Sequence, residues 1–273
     1  MSLIDERPIG LFDSGVGGLS VLKKIREVLP NENYIYIADT LRVPYGIRTP
    51  EEIKKFTIEC FNVMKEQNVK AGIIACNTST SYGLEIVNET FDFPVIGVID
   101  PATKDAVKST NNKNILLWAT NATVNSNIYE ETLKSLDKNI ILHSQGCPNL
   151  VVAIESGHAE DDIGYDVCKE YLKLSQDFKY DTLILGCTHF PLAESNIRVL
   201  LREYGKDVRI VNPAFSTAKQ MEKLLNEKNM LNSNGNSNIK FFISGEIPKF
   251  KFVASDVLNL REDELDITTF TVK

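Results

Sequence analysis

Ala71-Gly72-Ile73-Ile74-Ala75-Cys76-Asn77-Thr78 and Thr182-Leu183-Ile184-Leu185-Gly186-Cys187-Thr188-His189 repeat one pattern: a largely apolar run, a small residue, a cysteine, then polar side chains. Short apolar runs without polar alternation fit strands buried on both faces. Between segments of helical spacing they call for a parallel sheet covered by helices on both sides. Ligands of such sheets gather at the carboxyl ends of the strands, and both cysteines fall there.

The surrounding segments follow the same grammar. Residues 8–12 read as a strand, Asp13–Gly18 as a turn, and Leu19, Leu22, Ile25 and Leu29 as one face of a helix that Pro30 ends. A strand at 34–38 follows. Thr49-Pro50-Glu51-Glu52 is a capping box with proline in the first helical position, ahead of a helix burying Ile53, Phe56, Cys60, Val63 and Met64. Further strands are expected at 71–75, 94–98, 114–118, 139–143, 182–186, 208–211 and 239–244. Helices are expected at about 80–90, 125–136, 148–156, 161–176, 191–204 and 215–228, with a short helix and a last strand at the end. The Asn-, Ser- and Gly-rich run 229–238 reads as a surface loop. Ile99-Asp100-Pro101-Ala102 and Val211-Asn212-Pro213-Ala214 are alike, and each follows a strand. Asx-Pro either starts an ordinary turn or marks a crossing between domains. Two crossings would make 101–211 an inserted domain, with 1–100 and 212–273 forming the first. The expected fold class is α/β, two doubly wound parallel-sheet domains related by pseudo-symmetry.

Composition agrees. At about 150 residues per domain, 273 residues suggest two. Apolar residues at 43% and charged residues of both signs at 25% exclude disorder, collagen and coiled-coil rods. No apolar run reaches the roughly 18 residues of a spanning helix, and Asp5, Glu6 and Arg7 put charge where a signal peptide has its apolar core. The expectation is a cytoplasmic chain with no membrane association. A net charge of −7 with scattered Lys and Arg makes nucleic acid an unexpected ligand. Five cysteines (Cys60, Cys76, Cys147, Cys168, Cys187) do not form a disulfide framework, and three histidines without a CxxC or HxxxH pair give no metal site.

A strand end meeting a helix start lowers a thiol's pKa, so Cys76 and Cys187 are the candidates for chemistry. Cys60 and Cys168, on amphipathic helix faces, read as small buried hydrophobes, and Cys147 is intermediate. Asp13 ends the first strand and is either a turn aspartate or a group facing the same crevice. Gly15-Val16-Gly17-Gly18 lacks the spacing of a phosphate loop and reads as a tight turn for close packing or ligand approach. His189 is either a structural hydrogen-bonder or a proton carrier beside Cys187. By composition Glu155 is a helix carboxylate and Pro44-Tyr45-Gly46 a turn. A cysteine hydrolase would leave the second thiol unexplained. Two thiols facing one carbon from opposite sides suit racemisation: one removes the proton, the other returns it to the opposite face. A purely structural or redox role for the cysteines remains the alternative.

Several blocks recur in order: Ile9–Leu19; Ala38-Asp39-Thr40 with Arg42-Val43-Pro44-Tyr45-Gly46; Ala75–Thr78; Val95–Ile99; Thr120 with Thr123; Cys147-Pro148 with Glu155; and Leu185–Leu192. In these blocks the chain resembles the aspartate/glutamate racemase family, on its glutamate-specific side. The resemblance implies an active site in the cleft between two α/β domains. It implies proton transfer at a single carbon without pyridoxal phosphate, another cofactor or metal, and a homodimer. The reaction would interconvert L- and D-glutamate for bacterial peptidoglycan, with aspartate as the competing substrate. On matching positions Cys76 would deprotonate D-glutamate, assisted by Asp13. Cys187 would deprotonate L-glutamate, assisted by His189, with the Glu155 carboxylate nearby. Ser14, Pro44, Tyr45, Gly46, Asn77, Thr78, Thr120, Thr123 and Thr188 match substrate-holding positions. Ser79-Thr80-Ser81 departs from the usual Ala-Thr-Ala, and Trp118-Ala119 and Asn212-Pro213-Ala214 also depart from the pattern.

Overall fold

The computed structural model describes residues 5–235 and 237–272. The chain divides into two compact units, Met1–Val98 with Ala214–Lys273, and Ile99–Pro213. The first segment contributes β1 (Ile9–Asp13), α1 (Leu19–Val28), β2 (Tyr34–Ala38), α2 (Pro50–Glu66), β3 (Ala71–Ile74), α3 (Asn77–Thr90) and β4 (Val95–Gly97). The second unit holds α4 (Ile99–Ser109), β5 (Asn114–Ala119), α5 (Asn121–Asn125), α6 (Ile128–Leu136), β6 (Ile141–Gly146), α7 (Pro148–Glu155), α8 (Asp162–Leu174), β7 (Thr182–Gly186), α9 (Glu194–Glu203) and β8 (Arg209–Val211). The chain then supplies α10 (Pro213–Glu227), β9 (Ile239–Ile243), α11 (Ile247–Leu258) and β10 (Asp266–Thr269).

The first unit is built on a six-stranded parallel sheet of order β10-β9-β2-β1-β3-β4. Alternate residues of each strand face opposite sides. Ile9, Leu11, Tyr34, Tyr36, Ala71 and Ile73 pack with Leu22 and Ile25 of α1, Met221 and Leu225 of α10 and Phe250 of α11. Phe12 on the other face meets Phe61 of α2. Gly10 is what lets α2 lie this close, because a Cβ there would stand 2.7 Å from Met64 Sδ. The two layers explain why β1 and β2 are buried at every position and read as unbroken apolar runs. The capping box forms as the sequence indicates: Thr49 Oγ1 accepts the Glu52 N–H at 3.2 Å, and Glu52 accepts the Thr49 N–H at 2.9 Å.

The second unit has a four-stranded parallel sheet of order β6-β5-β7-β8. Leu116, Trp118, Leu183 and Leu185 form a core with Leu150 and Ile154 of α7, Cys168 and Leu172 of α8, and Ile197 and Leu200 of α9. The order matches β2-β1-β3-β4 of the first sheet strand for strand, so β7 is the counterpart of β3 and β5 of β1.

Several local readings need correction; the strand expected at 139–143, for one, is β6 at Ile141–Gly146. Ile99–Ala102 is not a turn but the start of α4; Pro101 sits in the first helical turn, where its missing N–H leaves no bond unmade. The helix read over 125–136 starts later, as α6 at Ile128, and a separate short helix, α5, precedes it; Asn127 between them lies in the left-handed region (φ 57°) that asparagine tolerates. The late helix is α11, twelve residues long rather than short. Among the described residues no helix is long and apolar enough to cross a membrane.

Candidate active site

In the first sheet β1 lies between β2 and β3, so the winding reverses between β1 and β3. Open α/β sheets leave their ligand crevice at such a switch point. Phe12 pairs with Ile74, and Asp13-Ser14 therefore leave the sheet beside Ala75-Cys76. Cys76 is the N-cap of α3, with extended backbone (φ −66°, ψ 122°), and its Sγ accepts the Ser79 N–H at 3.4 Å. Its thiol donates to Ser14 Oγ at 3.6 Å. Asp13 is fully buried and accepts the Gly15 N–H at 2.9 Å. Tyr36 donates its hydroxyl to the Gly15 carbonyl, also at 2.9 Å, and fixes the same turn from β2. Gly18 is required here, since a Cβ would lie 2.5 Å from Asp13 Cβ and 2.8 Å from the Tyr36 hydroxyl. The glycine-rich turn thus allows close packing around Asp13. Asn77 and Thr78 open α3 and are buried beside Cys76.

The Cys76 thiol corrects one expectation. Burial pushes it up to about 11 and the Asp13 charge adds to this, while hydrogen bonds from Ser79 and Ser14 pull the other way. Removing a thiolate from water outweighs the half-charge at a helix N-terminus. Cys76 therefore rests protonated at neutral pH.

Beyond β2, Asp39 is fully buried and accepts from Arg42 Nε at 2.6 Å, from Ser244 Oγ at 2.7 Å and from the Tyr45 hydroxyl. Arg42 also pairs with Glu59 and lies 3.9 Å above the Phe56 ring. The Tyr45 ring packs against Phe12 and Phe56. The stretch read as a turn is a single 3-10 turn, Tyr45–Ile47, with Pro44 exposed and Gly46 half-buried. Because the Tyr45 side chain is committed to the core, backbone is what Tyr45 can offer a ligand. The Asp39 hub escaped the sequence reading; its one trace was the Asp39-Arg42 spacing at a strand end.

The second sheet reverses its winding between β5 and β7. Ala119 pairs with Gly186, so Thr120 and Cys187 leave the sheet side by side. Thr120 caps α5: its Oγ1 accepts the Thr123 N–H at 3.2 Å and donates to Thr123 Oγ1 at 3.0 Å. Cys187 Sγ lies 3.6 Å from His189 Nδ1, and His189 Nε2 lies 3.2 Å from Glu155 Oε1 at the end of α7. Thr188 and His189 are buried. This is a chain of thiol, imidazole and carboxylate, suited to passing a proton to and from the sulfur. The expectation that Cys187 meets a helix start is corrected: Phe190–Ala193 form a 3-10 turn containing Pro191, and α9 begins only at Glu194. Tyr129 of α6, unnoticed in the sequence, is fully buried, and its hydroxyl is pushed up by burial and by the Cys187 charge.

The remaining cysteines behave as core. All five thiols are free. Burial pushes Cys168 up to about 12, and Cys60 and Cys147 rise for the same reason. Among the described residues no cluster of three His, Cys, Asp or Glu side chains could hold a metal ion.

Residues 9–221 match the Asp/Glu/hydantoin racemase family. The chain is 44% identical over 248 residues to a glutamate racemase of Thermoanaerobacter pseudethanolicus, covering 90% of this chain and 91% of that one. Its structure is similar to a glutamate racemase isoform from Bacillus anthracis, with a TM-score of 0.91, 36% identity and 98% of each chain covered. It is also similar to the glutamate racemase of Francisella tularensis solved with D-glutamate, with a TM-score of 0.89, 35% identity and coverage of 99% and 98%.

Proposed function

The chain belongs to the Asp/Glu/hydantoin racemase family, and from that premise we propose that it interconverts L- and D-glutamate through Cys76 and Cys187. The observation that carries the mechanism is the placement of one thiol at the switch point of each sheet, Cys76 under the charge of the buried Asp13 and Cys187 3.6 Å from His189 Nδ1. With D-glutamate bound, the Cys76 thiol first gives up its own proton with the help of the Asp13 carboxylate, and the thiolate so formed takes the α-proton as the electron pair moves onto the substrate carboxylate. The Cys187 thiol then delivers its proton to the opposite face of the same carbon, leaving L-glutamate, a Cys76 thiol and a Cys187 thiolate. The reverse direction exchanges the roles. His189, held by Glu155, relays protons at Cys187, and Asp13 assists Cys76. A raised thiol pKa suits this work, because the α-proton of an amino acid is weakly acidic and needs a strong base once the thiolate forms. Ser14, Asn77 and Thr78 on one side, Thr120, Thr123 and Thr188 on the other, and the backbone of Pro44, Tyr45 and Gly46 are proposed to hold the substrate's carboxylates and ammonium.

Chiral chromatography tests the reading, on chelator-treated protein without pyridoxal phosphate. Glutamate racemises from either enantiomer, and aspartate at no more than about a hundredth of that rate, a discrimination that fixed polar contacts to the side chain can supply. Preferential racemisation of aspartate would change the substrate, and inertness toward both would end the proposal.

A further inference from the structure

Thr78, Ser79, Thr80 and Ser81 put four hydroxyls in a row at the start of α3, and those of Thr80 and Ser81 are spent on backbone carbonyls. Thr80 Oγ1 donates to the Ile74 carbonyl at 3.0 Å, and Ser81 Oγ donates to the Asn77 carbonyl at 3.0 Å. Ser79 is different. It is fully buried, its N–H is spent on Cys76 Sγ at 3.4 Å, and its Oγ makes no hydrogen bond of ordinary geometry among the described residues, although it lies close enough to Cys76 to draw that thiol toward its ionised form. Leaving a buried hydroxyl without a full hydrogen bond is costly, and a carbonyl bond of the kind its neighbours make would remove that cost. Being the third residue of α3 whose N-cap is Cys76, Ser79 carries its hydroxyl beside the sulfur.

We propose that Ser79 is a positioning residue for the Cys76 half of the reaction, its hydroxyl held in reserve to donate to the Cys76 sulfur when that sulfur carries the negative charge. The inference rests on the proposed two-thiol racemisation. No covalent step is involved: the Ser79 proton stays on its oxygen, and the hydrogen bond shortens as charge builds on sulfur. Such charge-assisted bonds are roughly twice as strong as neutral ones. Within the first unit, the titratable groups facing Cys76 are Asp13 from β1 and Tyr36 from β2, and α3 has no acidic residue in its first turn. Asp13 opposes the thiolate, so a compensating donor has work to do there. Hydrogen bonding from Ser79 does draw the thiol toward its ionised form, against burial and Asp13.

The test uses primary isotope effects on kcat/KM with α-deuterated D-glutamate and α-deuterated L-glutamate, for the parent and Ser79→Ala. Weakening the Cys76 thiolate makes its proton transfer more rate-limiting. The effect with D-glutamate therefore rises and the effect with L-glutamate falls, while kcat/KM drops about three- to tenfold, the loss of one hydrogen bond to a charged group. Ser79→Cys, with a weaker donor of similar size, falls between parent and Ala. A second readout is the ¹³Cβ resonance of Cys76, assigned by its loss in Cys76→Ala, whose titration midpoint moves up in Ser79→Ala. Isotope effects and midpoint that match the parent's overturn the inference, whatever happens to the overall rate. A parent that does not racemise glutamate overturns both this inference and the reading beneath it.

Discussion

Cys76 is the residue at which stability and reactivity oppose each other. In the unfolded chain its thiol titrates near the ordinary value of about 8.5 to 9, and in the fold it is pushed up to about 11. Its contribution is therefore fully present below the unfolded value and is lost as pH rises toward the folded one. A rise of about two units corresponds to at most about 3 kcal/mol. Urea unfolding of the parent and Cys76→Ala at pH 8 and pH 10.5 reads this directly: the parent loses ground relative to the variant as pH rises, and parallel pH dependences would contradict it. That both cysteines stand at strand ends was legible in the sequence. The sign of the Cys76 shift was not, because it depends on Asp13 arriving from another strand and on how completely the site is buried.

At the scale of the elements, the amino ends of the first sheet are tied by a buried ion pair that no local pattern reveals. Lys70 just before β3 and Glu32 just before β2 are both fully buried and paired. Lys70 also donates to the carbonyls of Asp5 and Met230, each at 2.7 Å, and Glu32 accepts the Asn232 N–H at 2.8 Å. Burial still raises the Glu32 carboxyl in spite of Lys70. Removing one partner leaves the other charge buried, so Glu32→Gln is expected to lower unfolding free energy by about 3–5 kcal/mol. Glu32→Gln combined with Lys70→Met should recover most of that loss in urea melts. A double variant no more stable than the single one would show that the carbonyl contacts, not the charge pair, hold this end together. Capping signals and apolar runs made most strands and helices readable, as at Thr49 and β7. Boundaries failed where proline or asparagine acted in context: Pro101 inside a first turn, Asn127 between two helices, Pro191 delaying α9.

For the whole molecule, the sequence showed parallel α/β sheets because their strands are apolar on both faces. Strand order could not be read, since β9 and β10 join the first sheet beyond β2 across a long stretch of chain, and pairing of that kind leaves no local mark. The order is what gives the two cysteines equivalent places, after β3 and after β7. Both thiols are proposed to act on one carbon. The most direct test of this is racemisation of L- and D-glutamate in D₂O, followed by optical rotation and by mass at the α-position, for the parent, Cys76→Ser and Cys187→Ser. The parent is expected to place one solvent deuterium in each product molecule. Each variant is expected to lose racemisation by at least about a hundredfold, the scale of a removed general acid or base. Parent-like racemisation in either variant would contradict the proposal.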